Sequence, residues 1–396
     1  LESAQRLAVL EECRKALEKA RALNPLNTDH SANLARLYNI WASFTSDADE
    51  QTARINQSIQ YYEQATSLSP HNAQLFNEWA LVYMGVEQFD KAMEKYERSL
   101  ALDQEFDMTY FGLGDLYYTT GQLEQAADMY EKGLVLNPKL TQVWNKLGVV
   151  YAQLGRHEDA IEAILEVLEL SPGNFEALKN LALLYRDSEQ LGQALAYAQS
   201  AAQAKPDYVP IHQLLGELYR AAKDYPNAEA AYQRALELKP RDVNSLWNLA
   251  MVYWDQSRFE EAIVQLETAL QLVPDNVQVK QALGDLYSRV ADWQKAIESY
   301  EAVLAVSPDQ VQVRSALAHA YAQSGQPEKA VAHTLEVLKV SPDDFASRKN
   351  LAVLYEQLGR IDEALVEAER ALQLAPDNER EAISDFISQL RQAQGS

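Results

Sequence analysis

Six histidines, one cysteine and a few closely spaced carboxylates are the residues of this chain best suited to chemistry, and their spacing limits what they can do. Gly112-Leu113-Gly114 opens like a glycine loop that cradles phosphate. Tyr117, however, stands where the third glycine is needed, and the run falls inside a helical pattern. Asp285 and His319 stand one period of 34 residues apart, so stacking would set them side by side. A metal or acid–base centre needs more ligands than one such pair, and a solvated polar pair is expected. Asp47, Asp49 and Glu50 could attract calcium, but their spacing is not that of an EF-hand, and a solvated polar loop is the expectation. Arg156-His157-Glu158-Asp159 reads as charge at a helix start. No P-loop, no H-E-x-x-H and no Cys-x-x-Cys is present. Cys13, being alone, excludes an internal disulfide and is predicted to be a small packing residue. The chain is therefore read as having no catalytic, metal-binding or cofactor-binding residue. It is not expected to be an enzyme itself, whatever a longer parent protein does.

The elements that position these residues follow from a repeat. Between residues 73 and 378 the chain repeats itself nine times at a fixed period of 34 residues. Leu-Ala or Leu-Gly falls at 113–114, 147–148, 181–182 and so on to 351–352, with Trp79-Ala80 opening the series. Three residues on comes a tyrosine, from Tyr83 to Tyr355, and nine further an alanine, from Ala92 to Ala364. Proline closes every period except the first, where Gln104 stands. Leu147, Gly148 and Tyr151 sit at helical spacing, and Ala160, Ile164 and Val167 do so again. Each period thus predicts two amphipathic helices, A and B, with a turn at Gly121, Gly155, Gly325 or Gly359. One pair cannot bury its apolar face alone, so stability must come from stacking on neighbours.

This pattern resembles the tetratricopeptide repeat family over nearly the whole chain. The resemblance implies an all-α solenoid, a right-handed superhelix of helix pairs ending in a capping helix. Residues 1–27 read as a lone helix B of a truncated repeat, with Cys13 in the alanine place, so the chain reads as a piece of a longer or processed one. Residues 28–72 read as a unit stretched by 11 residues around a polar loop at Phe44–Ala53. Residues 73–378 are the nine regular units, and 379–396 the cap, with Ile383, Phe386, Ile387 and Leu390 facing inward. One continuous solenoid domain is expected.

In that family the A helices line the concave wall, exposing the second, fifth, ninth, twelfth and thirteenth positions of each unit. Here those places hold Leu81, Met84, Met108, Phe111, Tyr118, Val149 and Leu183, then Arg220, then the stripe Trp247, Met251 and Trp254. Apolar side chains not needed for stacking predict a partner-binding groove. Packing against neighbouring helices is the competing reading for the 247/251/254 stripe and for Phe111 and Tyr118. Some family members clamp a C-terminal carboxylate. Lys179 and Lys349 hold the fifth position here, but Leu183 and Val353 replace the asparagine at the ninth. Asn180, Asn248 and Asn350 hold the sixth position in units that are not adjacent.

Net charge of −23 opposes nonspecific binding to nucleic acid or anionic lipid. No apolar run is long enough to span a membrane. Asn24–Trp41, NPLNTDHSANLARLYNIW, is similar to the juxtamembrane segment of bacterial O-antigen ligase/polymerase-like membrane proteins with C-terminal repeats. That resemblance implies a bacterial source and a parent chain with a membrane-embedded portion, to which this fragment would be tethered. Two functions follow. One is a non-catalytic scaffold that binds a peptide or protein partner in its concave groove. The alternative is a soluble accessory domain of a membrane glycosyl-transfer protein.

Overall fold

Each regular period folds as a 13-residue helix, a tight turn and a 14-residue helix. The computed structural model describes residues 3–394, and the outermost residues of the two terminal helices predicted from sequence lie outside that range. Among the described residues there are 22 α-helices and no strand. They group into two compact units that divide between Lys205 and Pro206. The first unit holds α1 (Ser3–Leu23), α2 (Thr28–Ser43), α3 (Ala48–Leu68), α4 (Ala73–Gly85), α5 (Phe89–Leu102), α6 (Asp107–Thr119), α7 (Leu123–Leu136), α8 (Thr141–Gln153), α9 (His157–Leu170), α10 (Phe175–Asp187) and α11 (Leu191–Ala204). The second holds α12 (Val209–Ala221), α13 (Tyr225–Leu238), α14 (Val243–Asp255), α15 (Phe259–Leu272), α16 (Val277–Arg289), α17 (Trp293–Val306), α18 (Val311–Gln323), α19 (Pro327–Val340), α20 (Phe345–Gln357), α21 (Ile361–Leu374) and α22 (Asp377–Gln394).

The signature residues explain the pairing. The alanine that opens each B helix is fully buried, from Ala92 and Ala126 through Ala330 and Ala364. The small residue of helix A faces a large one of helix B. A Cβ added to Gly114 would stand 2.5 Å from the Tyr130 ring, and one added to Gly148 the same distance from Ile164. The turn between helices needs a left-handed residue. Gly121, Gly155, Gly325 and Gly359 supply it, while Glu87, Glu189, Lys223, Ser257 and Ala291 adopt it at the same register with φ near 58°. The next amide then bonds the carbonyl of the repeat tyrosine, as Arg258 N does to Tyr253 O at 2.9 Å.

Four of the successive pairs are tied by that same tyrosine. Tyr253 donates to Glu229 on the preceding B helix at 3.0 Å. Tyr151 reaches Glu131, Tyr287 reaches Glu267 and Tyr321 reaches Glu301 in the same way. A cation lies over each ring, with Arg156 4.3 Å from the Tyr151 centroid and Arg258 4.4 Å from that of Tyr253. At the end of the second unit α22 buries Ile383, Ile387 and Leu390 and leaves Phe386 half-buried, as a cap requires.

Two expectations need correction. The polar run expected as a loop is helix from Ala48 onward. Asp47 caps it by accepting from Glu50 N at 2.8 Å, and Arg54 turns back over the Trp41 ring at 4.5 Å. The inserted residues therefore lengthen α2 and α3, because a cap and an i,i+4 Glu50–Arg54 pair favour helix over loop. Cys13 is exposed rather than packed.

Candidate protein-interaction site

In the first unit the A helices form a wall whose exposed places carry large apolar side chains. Leu81 and Met108 are each 47% exposed and Tyr118 39%. Met84, Tyr118 and Val149 converge, from α4, α6 and α8, on one cleft of about 640 Å³. Asp115, Gln142, Asn145, Lys146, Glu176 and Asn180 also line it, with Thr119 and Tyr130. The charges there are largely satisfied from within. Asp115 accepts from Tyr130 at 2.6 Å and from Lys146 at 2.6 Å, and Glu176 pairs with Lys179. Gln153 donates to the Tyr118 hydroxyl at 3.1 Å and so fixes that ring's tip. Asn145 Oδ1 is buried and has no hydrogen-bond partner. The cleft is thus apolar at its base, nearly neutral at its rim, and holds one acceptor without a donor.

The remaining sequence candidates fall outside this cleft. Phe111 is a correction. It is 6% exposed, and its ring fills the notch above Gly133, where an added Cβ would stand 2.3 Å from it. It is a core residue because α7 offers glycine there. Leu183 is half-buried on α10 and does not line the cleft. Arg220 is held by Asp255 at 2.6 Å. Trp247, Met251 and Trp254 do form a stripe on α14, but all three are half-buried against the core of the second unit. Trp254 also meets Phe259 edge-on at 6.3 Å. The expectation that the tryptophans stand clear of the packing is therefore corrected.

The second unit has its own, smaller cleft of about 200 Å³ on its A-helix wall, lined by Ser315, His319, Ala322, Asn350, Val353 and Gln357 among others. Asn350 and Asn180 had a sequence signal in their sixth position. Asn145 and Lys146 had none beyond lying on the wall. Asp285 and His319 do not hydrogen-bond to one another. Asp285 accepts from Tyr300 at 2.7 Å and its carboxyl is pushed up by burial, while His319 sits edge-on to Trp293 at 5.8 Å. No group of three or more potential metal ligands occurs among the described residues.

A family model described as the cilia and flagella-associated protein 70 C-terminal domain, a tetratricopeptide repeat model, matches residues 2–246, and tetratricopeptide repeat models match residues 241–309 and 315–379. The chain belongs to this family of tetratricopeptide repeat proteins. Its fold is similar to that of the C-terminal part of a repeat-containing protein from Cytophaga hutchinsonii, with 16% identity, a TM-score of 0.54, and coverage of 61% of this chain and 98% of that one. YrrB, described as a tetratricopeptide repeat protein with an unusual peptide-binding site, matches at 20% identity, covering 47% of this chain and 95% of its own, with a TM-score of 0.43. Yeast Tom70 matches at 16% identity over 99% of this chain and 95% of its own, with a TM-score of 0.39. No curated protein matches the chain.

As a tetratricopeptide repeat protein the chain is of the protein-interaction scaffold class, a fold that is typically non-catalytic. None of its described helices is long and apolar enough to cross a membrane. Asn24–Trp41 serves local purposes. Asn24 N bonds Ala20 O at 3.0 Å to close the turn after α1, and the Asn27 side chain caps α2 through Asp29 N at 2.9 Å.

Proposed function

We propose that the chain is a non-catalytic scaffold that holds an extended peptide or protein segment on the A-helix wall of its first unit. The observation that carries this reading is the cleft of about 640 Å³ where Met84, Tyr118 and Val149 meet. Burial of a side chain such as Leu against this floor contributes roughly 1.5–3 kcal/mol. Because Asp115, Lys146, Glu176 and Lys179 already satisfy one another, the central side chain of the occupant is uncharged.

The test is a peptide selected by display against the intact chain. Tyr118→Ala combined with Val149→Ser is expected to weaken that peptide at least about tenfold, or roughly 1.4 kcal/mol, while the helical content stays that of the parent. Unchanged affinity would place the binding surface elsewhere.

A further inference from the structure

We propose that the first unit carries a second docking site on its B-helix side, which takes an arginine side chain from an extended segment of a partner protein. The site is a cleft of about 370 Å³ between α7 and α9, floored by α8. Leu134 and Val135 form one wall, Trp144 and Tyr151 the floor, and Ala163 the other wall. Val135 is 83% exposed, so the apolar wall is open to solvent. Carboxylates of Glu131, Asp159, Glu162 and Glu166 rim the opening.

The repeat supplies its own control. Trp144 donates its indole N–H to Pro138 O at 2.8 Å, and Arg348 donates its Nε–H to Pro342 O at 2.7 Å, each reaching back six residues. The two side chains thus hold the same place in their repeats. In the last repeat Arg348 meets Glu367 at 2.6 Å, both nearly buried, and Arg370 meets Glu367 at 2.9 Å. In the cleft of the first unit, Ala163 stands in the register of Glu367, Glu166 in that of Arg370 and Val135 in that of Lys339. Trp144 and Ala163 thus stand where the last repeat has the cation and its acceptor, and the cleft beside Trp144 keeps a rim of carboxylates.

The carboxylates divide into occupied and unoccupied. Glu131 accepts from Tyr151, and Asp159 from Arg156 at 2.6 Å, with Arg156 lying over the Tyr151 ring. Neither Glu162 nor Glu166 has a hydrogen bond or ion pair among the described residues. A guanidinium entering from solvent would lay its plane on Trp144 and its stem along Val135, and donate to Glu162 and Glu166. Arginine suits this better than lysine, because its planar fork stacks on an aromatic face and bridges two carboxylates at once. The chain's net charge of −23 steers such a segment toward the cleft.

The experiment uses the whole chain with 5-fluorotryptophan in place of tryptophan, the Trp144 resonance being assigned with Trp144→Phe. The probe is the fluorescein-labelled peptide Ala-Leu-Arg-Leu-Ala, and its control the same peptide with citrulline for arginine. Saturable binding is expected below about 1 mM, shifting the Trp144 resonance and weakening as salt rises. Glu162→Gln with Glu166→Gln should weaken it at least about fivefold. Trp144→Arg with Ala163→Glu, which copies the Arg348–Glu367 pair of the last repeat and removes the aromatic floor, should abolish it. If that pair does not fold, the glutamine pair decides alone. The proposal is overturned by absence of binding, by citrulline binding within about twofold of arginine, by binding that leaves the Trp144 resonance in place, or by affinity indifferent to the glutamine pair. Equal occupancy by spermine would also overturn it, making the cleft a polyamine site instead of a protein-docking one.

Discussion

Tyr130 and Asp115, on the two helices of one pair, are joined by a 2.6 Å hydrogen bond, whereas Tyr96, in the same place one repeat earlier, has Leu81 in the register of Asp115 and no partner for its hydroxyl. Tyr300 and Asp285 repeat the bonded arrangement at 2.7 Å. Burial pushes the Tyr96 hydroxyl far up. Phenylalanine at 96 should therefore stabilise the chain by about 1 kcal/mol, since it removes a dry, unpaired hydroxyl. Phenylalanine at 130 should cost about 1.5 kcal/mol, since it breaks a bond to a carboxylate. Urea unfolding of the two variants measures the contrast, and equal losses would mean that Tyr96 has a donor or acceptor in solution.

The helix pairs were legible because the signature residues are local. Small-x-x-Tyr and the alanine nine residues later specify which faces meet, and they need no information from other repeats. Phe111 was not legible as core, because its burial depends on Gly133 leaving a notch on another helix. The wall position alone places it outward. The same holds for Trp247 and Trp254, whose half-burial is set by the helices around α14. Residues 44–53 misled through composition, since the polar run conceals a helix cap and an i,i+4 pair. The cleft at Met84, Tyr118 and Val149 was legible as three wall residues, but the burial of Asn145 Oδ1, at a fifth position expected to be exposed, was not.

The notch above Gly133 gives a second prediction. Alanine is a better helix former than glycine by about 1 kcal/mol. At 133 the added methyl would meet the Phe111 ring at 2.3 Å, and that ring is buried. Overpacking of this kind costs about 1–3 kcal/mol, so Gly133→Ala should destabilise the chain on balance. Gly192→Ala, with nothing within 4 Å of the new methyl, should be neutral or stabilising. A fall in the melting temperature for both variants would show that the notch is not what distinguishes them.

A third concerns pH. Asp242 is 6% exposed, caps α14 through Ser245 N at 2.9 Å, and accepts from Lys239 and Gln213 at 2.7 Å each. Burial raises its carboxyl, but the bonds from Lys239 and Ser245 outweigh this and leave it below the usual carboxylate value. A depressed folded-state value means that the ionised form stabilises the fold above the unfolded value, near pH 3.9. That contribution is lost as pH falls through the folded value. Asp242→Asn should therefore be less stable than the parent at pH 7, and the gap should close as pH drops below about 4. A gap independent of pH would assign the loss to geometry alone.

The tryptophans of α14 give the last. Trp247 and Trp254 are seven residues apart on one face and both pack on the core of the second unit, Trp254 against Phe259 as well. Full removal of a buried tryptophan costs about 3–5 kcal/mol, and these are half-buried, so about 2 kcal/mol each is expected for replacement by alanine. Stability in a stack of helix pairs is a sum over neighbouring interfaces, so the loss should appear locally. Hydrogen exchange in Trp247→Ala with Trp254→Ala should rise first in α14 to α16, while α4 to α8 keep their protection. Binding of a peptide seated at Met84, Tyr118 and Val149 should be unaffected in the folded double variant. If instead the variant keeps its exchange pattern and loses that peptide, the stripe belongs to the binding surface and its contacts with the core contribute little.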